Sequence, residues 1–239
     1  MAVNIDTVYQ KVLALCNKEQ RGYVTPQEFN LLSDKAQVDI YESYFHDLKT
    51  AHHKPSKNQI GHADEIEMIE EKLQPFYNSI AITTTNDTVS LPTEVYRLIN
   101  ITRGSNEVTQ LNRKEVTYTE NNPLTAATLN RSIFIREQSN NIQIIPTAVT
   151  TIDDDGNTVG EAININYYKR PTNPHWAYII VSEKALYNSN QTTHFQLHPS
   201  EEENLVTRIL QLAGIIIMKP GIVEIAAQDN ANTKAQQNN

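Results

Sequence analysis

Three groups of side chains have types and spacings that invite a chemical reading. His52, His53 and His62 cluster in the stretch TAHHKPSKNQIGH, and His194 and His198 lie four apart. Imidazoles at such spacing hold zinc when they share a helix face, as in H-E-x-x-H, where the glutamate is the base. Neither set has that order. The second pair spans a strand-to-loop segment, so structural or surface histidines are expected. Asp153, Asp154 and Asp155, followed by Gly156, resemble the oxygen-rich start of a calcium loop. Such a loop needs a glutamate at its twelfth position and helices on both sides. Here that position is Asn164 and the flanks read as strands, so the run is expected to be a solvated hairpin tip.

Nucleophile and phosphate motifs are missing. No G-x-S-x-G, G-x-G-x-x-G or G-x-x-x-x-G-K occurs. The single cysteine, Cys16, falls on an apolar helical stripe, where a thiolate is disfavoured, and one cysteine excludes an intrachain disulfide framework. The carboxylates between Asp64 and Glu71 line one charged face. No catalytic residue, metal ligand or cofactor site is expected, and the chain is not expected to be an enzyme.

Composition narrows the partners. The 239 residues carry 20 basic and 28 acidic side chains, a formal charge of -8. A protein built mainly to grip nucleic acid needs a basic face instead. The charge is uneven: Pro92–Arg136 holds six basic residues (Arg97, Arg103, Arg113, Lys114, Arg131, Arg136) against four acidic, whereas Asp64–Lys72 holds five acidic and one basic. No apolar run approaches the ~18 residues of a membrane span, and the first residues lack the pattern of a signal peptide.

The elements that must position these groups are legible from periodicity. Ile5, Val8, Tyr9, Val12, Leu13 and Cys16 form one helical stripe that Arg21-Gly22 ends. Thr25-Pro26-Gln27-Glu28 opens a second helix with a capping box and a first-turn proline, and Phe29, Leu32, Ala36, Ile40, Tyr44 and Leu48 share its face. Residues 50–62 read as a loop, followed by a short acidic helix with Ile66, Ile69 and Leu73 inward. From about residue 79 short segments rich in Ile, Val, Thr and Tyr read as strands: SIAITTT, TVSLP, VYRLINIT, EVTQLNR, SIFIRE, NIQIIP and ININYY. Turns are expected at Gly104-Ser105-Asn106, Asn140-Asn141 and Asp155-Gly156-Asn157, with a short helix and loop in RKEVTYTENNPLT. After a proline-broken loop over 170–198, Ser200 and Glu203 have capping-box spacing. Leu205, Val206, Ile209, Leu212, Ala213, Ile216 and Ile217 then continue a last amphipathic helix.

The fold class expected is α+β. A helical bundle over 1–76 and 199–228, made by the N-terminal hairpin and the C-terminal helix, would carry an inserted antiparallel β domain over 77–198. A flexible polar tail would occupy 229–239. The aromatic and basic residues bordering the proline-broken loop, namely Tyr168, Arg170, His175, Trp176, Tyr178 and Tyr187, are the candidate partner-contact residues. Segments 50–62 and 112–130 are expected to become fixed on assembly.

The opening DTVYQKVLALCNKEQRGYVTPQEFNLLSDKAQVDIYESYF, and the later LPTEVYRLINIT, ININYYKRPTNPHWAYI and HFQLHPSEEENLVTRILQLAG, resemble in type and order the head-to-tail connector and tail-adaptor neck-ring proteins of short-tailed, crAss-like phages. The resemblance implies a virion structural protein, made in the host cytoplasm and incorporated at the neck. It implies a homo-oligomer, a dodecameric ring, contacting the portal protein and other neck or tail proteins. Double-stranded DNA would pass transiently and non-specifically through its lumen during ejection, and no membrane is involved. Two other classes remain: a fibre-attachment or host-surface binding module of the tail, and a hydrolase without a recognisable motif.

Overall fold

The computed structural model describes residues 2–17, 23–53, 59–84, 88–137, 140–147, 151–152, 158–159 and 161–216. Helices and a large, mostly antiparallel sheet make the protein α+β. The chain divides into two compact units, Met1–Pro75 with Pro171–Asn239, and Phe76–Arg170. The division gives 171–198 to the first unit, whereas the sequence pattern assigns this stretch to the β domain.

In the first unit, α1 (Ile5–Asn17) buries Ile5, Val8, Tyr9, Val12 and Cys16 along the predicted stripe. α2 (Pro26–His53) begins as expected. The Thr25 backbone N–H donates to the Glu28 carboxylate at 2.9 Å, and the Glu28 N–H donates to Thr25 Oγ1 at 3.3 Å, so two of the helix's otherwise unpaired donors are satisfied. Its buried face is wider than one apolar stripe, because Ser33, Gln37, Tyr41 and Phe45 join it. α2 and α3 (Gln59–Leu73) both reach into residues 50–62, correcting the loop expected there. α5 (Glu202–Ile216) packs against α1 and α2, and α3 packs against α2.

The start of α5 also differs from expectation. Pro199–Glu201 form a single 3-10 turn that His198 caps, its Nδ1 accepting the Ser200 N–H at 3.3 Å. Ser200 and Glu203 do not close the capping box. Glu203 instead pairs with Lys11, which also meets Glu202 at 2.7 Å, because α1 brings an ammonium group to that end of the helix. The two carboxylates raise the Lys11 pKa, chiefly through their hydrogen bonds.

The second unit is a seven-stranded sheet in the order β1-β9-β3-β4-β5-β6-β2, formed by β1 (Tyr77–Thr84), β2 (Thr88–Ser90), β3 (Val95–Arg103), β4 (Asn106–Gln110), β5 (Ile133–Arg136), β6 (Asn141–Ile145) and β9 (Glu161–Lys169). β7 (Thr151–Ile152) pairs with β8 (Thr158–Val159) in a separate ladder. The seven expected strand segments are all present. Alternation decides their faces: Ile163, Ile165 and Tyr167 of β9 are buried with Ile101, Val108, Phe134, Ile142 and Ile144. Gly104, at φ 59°, makes the tight β3–β4 turn, a conformation that costs glycine little.

One strand pair departs from the antiparallel expectation. β4 and β5 run parallel because the chain crosses over through α4 (Arg113–Glu120) between them. Val116 of α4 covers Ile133 and Ile135 on the face of β5 opposite Phe134. Arg103, one of the six basic residues counted in Pro92–Arg136, is buried. Its guanidinium donates to Ser132 Oγ at 3.1 Å and to the carbonyls of Pro146 and Thr147 at 3.0 and 3.1 Å. The Arg21-Gly22 stop, the Asp153–Asp155 run with Gly156, and the 229–239 tail lie outside the described residues.

Candidate interaction surface

The segment 171–198 has little ladder of its own, so its backbone must find partners elsewhere. Two amides of α2, seven residues apart on one helix face, supply them. The Asn30 side chain accepts the Trp176 N–H at 2.8 Å and donates to the Trp176 carbonyl at 3.2 Å, which imitates a strand neighbour. Gln37 donates to the Thr172 carbonyl at 2.8 Å and accepts the Gln196 N–H at 3.0 Å. The Gln196 side chain in turn accepts the Thr172 N–H at 3.0 Å. Short bridges tie the segment further, His175 to Thr193 and Phe195 to Val3.

At its centre is Trp176, only 2% exposed. Its indole N–H donates to Asp6 at 2.9 Å, and its ring meets Tyr9, with centroids 4.4 Å apart. Tyr9 packs on Phe29 at 4.6 Å and donates its hydroxyl to the Val24 carbonyl at 3.3 Å. Burial, followed by the nearby Tyr23, pushes the Tyr9 phenol far above its ordinary range, so it stays neutral and serves packing rather than proton transfer.

Above this base stands a hairpin that the sequence pattern does not reveal. β10 (Tyr178–Val181) pairs with β11 (Lys184–Tyr187) around a two-residue turn. Tyr178 and Tyr187 are cross-strand partners, and both stack on Trp176, with centroids 5.7 and 5.8 Å away. The turn residues Ser182 and Glu183 have φ of 50° and 65°, a backbone that glycine or asparagine normally provides. Beyond the tyrosines the strands expose Ile179, Ile180, Val181 and Leu186, with Ile180 at 69% and Leu186 at 52%. The continuous apolar run Tyr-Ile-Ile-Val and a Ser-Glu turn lack the alternation and glycine that mark a hairpin in sequence. The only cue was the excess of aliphatic residues in a stretch otherwise broken by proline.

The six candidate contact residues therefore have different roles. Trp176 is a core residue that anchors the hairpin, Tyr178 and Tyr187 are half-buried at its root, and His175 is exposed beside it. Tyr168, half-buried, and Arg170, exposed, belong to the second unit.

A second polar cluster was also missed. Glu201, 4% exposed, meets Lys72 of α3 at 2.8 Å and accepts from Asn204 at 2.8 Å, and the Lys72 ammonium lies 5.9 Å from the centre of the Tyr44 ring. Burial, then the Glu201 charge, drives the Tyr44 ionisation far above its usual range. The cluster joins α2, α3 and the start of α5. It is a structural ion pair that ties these helices together.

Two of the histidines have structural duties, His194 Nδ1 accepting the Ile5 N–H at 3.4 Å and His198 forming the cap described above, whereas the side chains of His53 and His62 lie outside the described residues. Among the described residues no group of three His, Cys, Asp or Glu is arranged to hold a metal ion. No helix among them is long and apolar enough to cross a membrane. Comparison with known proteins assigns no family, since no family model and no curated protein matches the chain.

Proposed function

We propose that the chain is a ring-forming head-to-tail adaptor of a phage neck, a structural virion subunit that links portal to tail and lines the DNA exit channel. The exposed aliphatic hairpin over Tyr178–Tyr187 carries this reading. Full burial of a large aliphatic side chain contributes about 1.5–3 kcal/mol, so covering the exposed parts of Ile179, Ile180, Val181 and Leu186 against a neighbour contributes several kcal/mol per contact. A subunit built for assembly needs such a surface, and a monomer gains nothing by displaying it. The hairpin is also held on the rigid aromatic base of Trp176 and Tyr9, which favours a docking element over a loose loop.

The resemblance in element order supports the same assignment. In this reading α1, α2, α3 and α5 form the bundle that meets neighbours and the portal, and the sheet unit faces tail components. The net charge of -8 suits a channel wall along which DNA slides without adhering. Purified full-length protein mixed with its portal should give a discrete ring by mass photometry and a density coaxial with the portal in virions. A protein that stays monomeric with portal, or a peripheral density in the virion, would sink the proposal.

A further inference from the structure

One face of the large sheet is the core of the second unit, and the opposite face carries an unusual polar pattern. Alternation buries Ile163, Ile165 and Tyr167 of β9 and turns Asn164, Asn166 and Tyr168 the other way. Two bulges in β3 bring further polar groups to that face. By plain alternation Arg97 would point inward with Val95, and Asn100 inward with Leu98. Register shifts between Val95 and Arg97 and between Leu98 and Asn100 set them instead beside Tyr168 and Asn166. Re-aiming a side chain is what bulges next to functional sites do.

The result is a set of cross-strand rows. Ser79, Asn166 and Asn100 stand in register, and the next row holds Asn164 and Thr102. Asn166 Nδ2 donates to Asn100 Oδ1 at 2.7 Å. That bond locks the two amides and leaves one carbonyl oxygen and one amino group with no other partner among the described residues. Tyr77 and Tyr168 form a third row with Arg97, their rings edge to face with centroids 6.5 Å apart and Tyr77 49% exposed. Asn100 also lines a cavity of about 280 Å³ where β3 and β4 diverge, and Glu107, Thr109 and Gln110 complete the polar half of its lining.

We infer that the β1–β9–β3 face and the adjoining cavity bind a neutral oligosaccharide. Arg97 is the only charge in the three rows, too few for a phosphate-rich ligand, which needs clustered cations. Amides and hydroxyls instead suit a ligand made of hydroxyl groups. A vicinal diol offers a donor and an acceptor side by side, matching the Asn166 carbonyl oxygen and the Asn100 amino group. Neighbouring strands lie about 4.8 Å apart, so the groups within a row are spaced at about the width of a pyranose ring. Tyr77 supplies an aromatic face for the C–H side of the sugar, and the Glu107 carboxylate accepts from hydroxyls that enter the cavity. This binding activity is separate from the adaptor reading and does not rest on it.

An array of neutral and acidic glycans probed with the full-length protein tests the site. Binding to neutral glycans is expected, followed by calorimetric titration with the free neutral oligosaccharide of the strongest spot. Asn166→Ala and Tyr77→Ala should each weaken that affinity about tenfold, the equivalent of one or two hydrogen bonds. Met68→Ala, at an exposed position in the helical unit, should leave it unchanged. Circular dichroism separates lost binding from lost fold, and Tyr77→Ala, at an exposed position, keeps the test decisive if Asn166→Ala unfolds. Binding to no neutral glycan, binding confined to acidic glycans, or neutral binding that both folded variants retain would each overturn the inference.

Discussion

The two units satisfy buried backbone groups in different ways. In the sheet unit the strand ladders pair the backbone around Ile101, Ile163 and Ile165, so the interior there can be aliphatic, and among the described residues the buried cation Arg103 reaches the carbonyls of Pro146 and Thr147 where the strands have ended. In the helical unit the irregular 171–198 segment lies against α2 with few ladder bonds. Side-chain amides therefore enter the interior, Asn30 and Gln37, while Glu201 and Lys72 meet there as an ion pair. The difference teaches that buried polar residues here follow irregular backbone, because an unpaired buried carbonyl or amide costs about as much as a lost hydrogen bond.

The largest expected effect tests whether the units stand apart. Ile209 is fully buried in α5, and Ile209→Asp should destabilise the helical unit by several kcal/mol, since an unpaired carboxylate would be forced into its interior. Hydrogen exchange should then show protection lost across α1, α2 and α5. Protection retained in β3 and β9 would mark the sheet as an independent unit, whereas its loss would show that the two unfold together. A stable Ile209→Asp protein would mean that this face is not closed in solution.

A middle-sized effect concerns the amides. Gln37→Leu leaves the Thr172 carbonyl and the Gln196 N–H without their partner and should cost about 2 kcal/mol in urea unfolding. A surface glutamine, such as Gln110 of β4, should tolerate the same change within about 0.5 kcal/mol. Equal costs at both positions would remove the distinction drawn between the units.

The smallest effect is electrostatic. Hydrogen bonds from the Thr25 backbone and hydroxyl hold the Glu28 carboxyl below its ordinary range. Its folded value is lowered, so its contribution is present above the unfolded value of about 4.3 and is lost as the pH falls through the folded value. Glu28→Gln should therefore lower the urea midpoint slightly at pH 7 and match the parent in strong acid. A constant difference at all pH values would assign the effect to shape rather than charge.

Local pattern made a good part of this legible. The α1 stripe, the Thr25–Glu28 cap and the seven strands of the large sheet are written in short-range periodicity and turn chemistry. The α2 and α3 ends were hidden because residues 50–62 have no apolar period, and helices can extend through polar sequence when flanking turns are anchored. The candidate surface was legible only at its root. Trp176, Tyr178 and Tyr187 drew notice as aromatics in a broken stretch, but a tryptophan looks the same in sequence whether it is buried or offered to a partner.

By itself the sequence determined the helix stripes, the strand faces, the acidic balance and the lack of a catalytic motif, since each depends on neighbours within a turn or two of chain. Tertiary structure alone decided that Gln37 and Asn30 are interior partners of a distant backbone, that Glu201 is buried on Lys72, and that Arg103 is a core cation. It also decided that Tyr178–Tyr187 is a hairpin with an exposed aliphatic end. Those outcomes depend on which groups, 135 to 159 residues apart for Gln37, come within hydrogen-bond reach, and no local period encodes that.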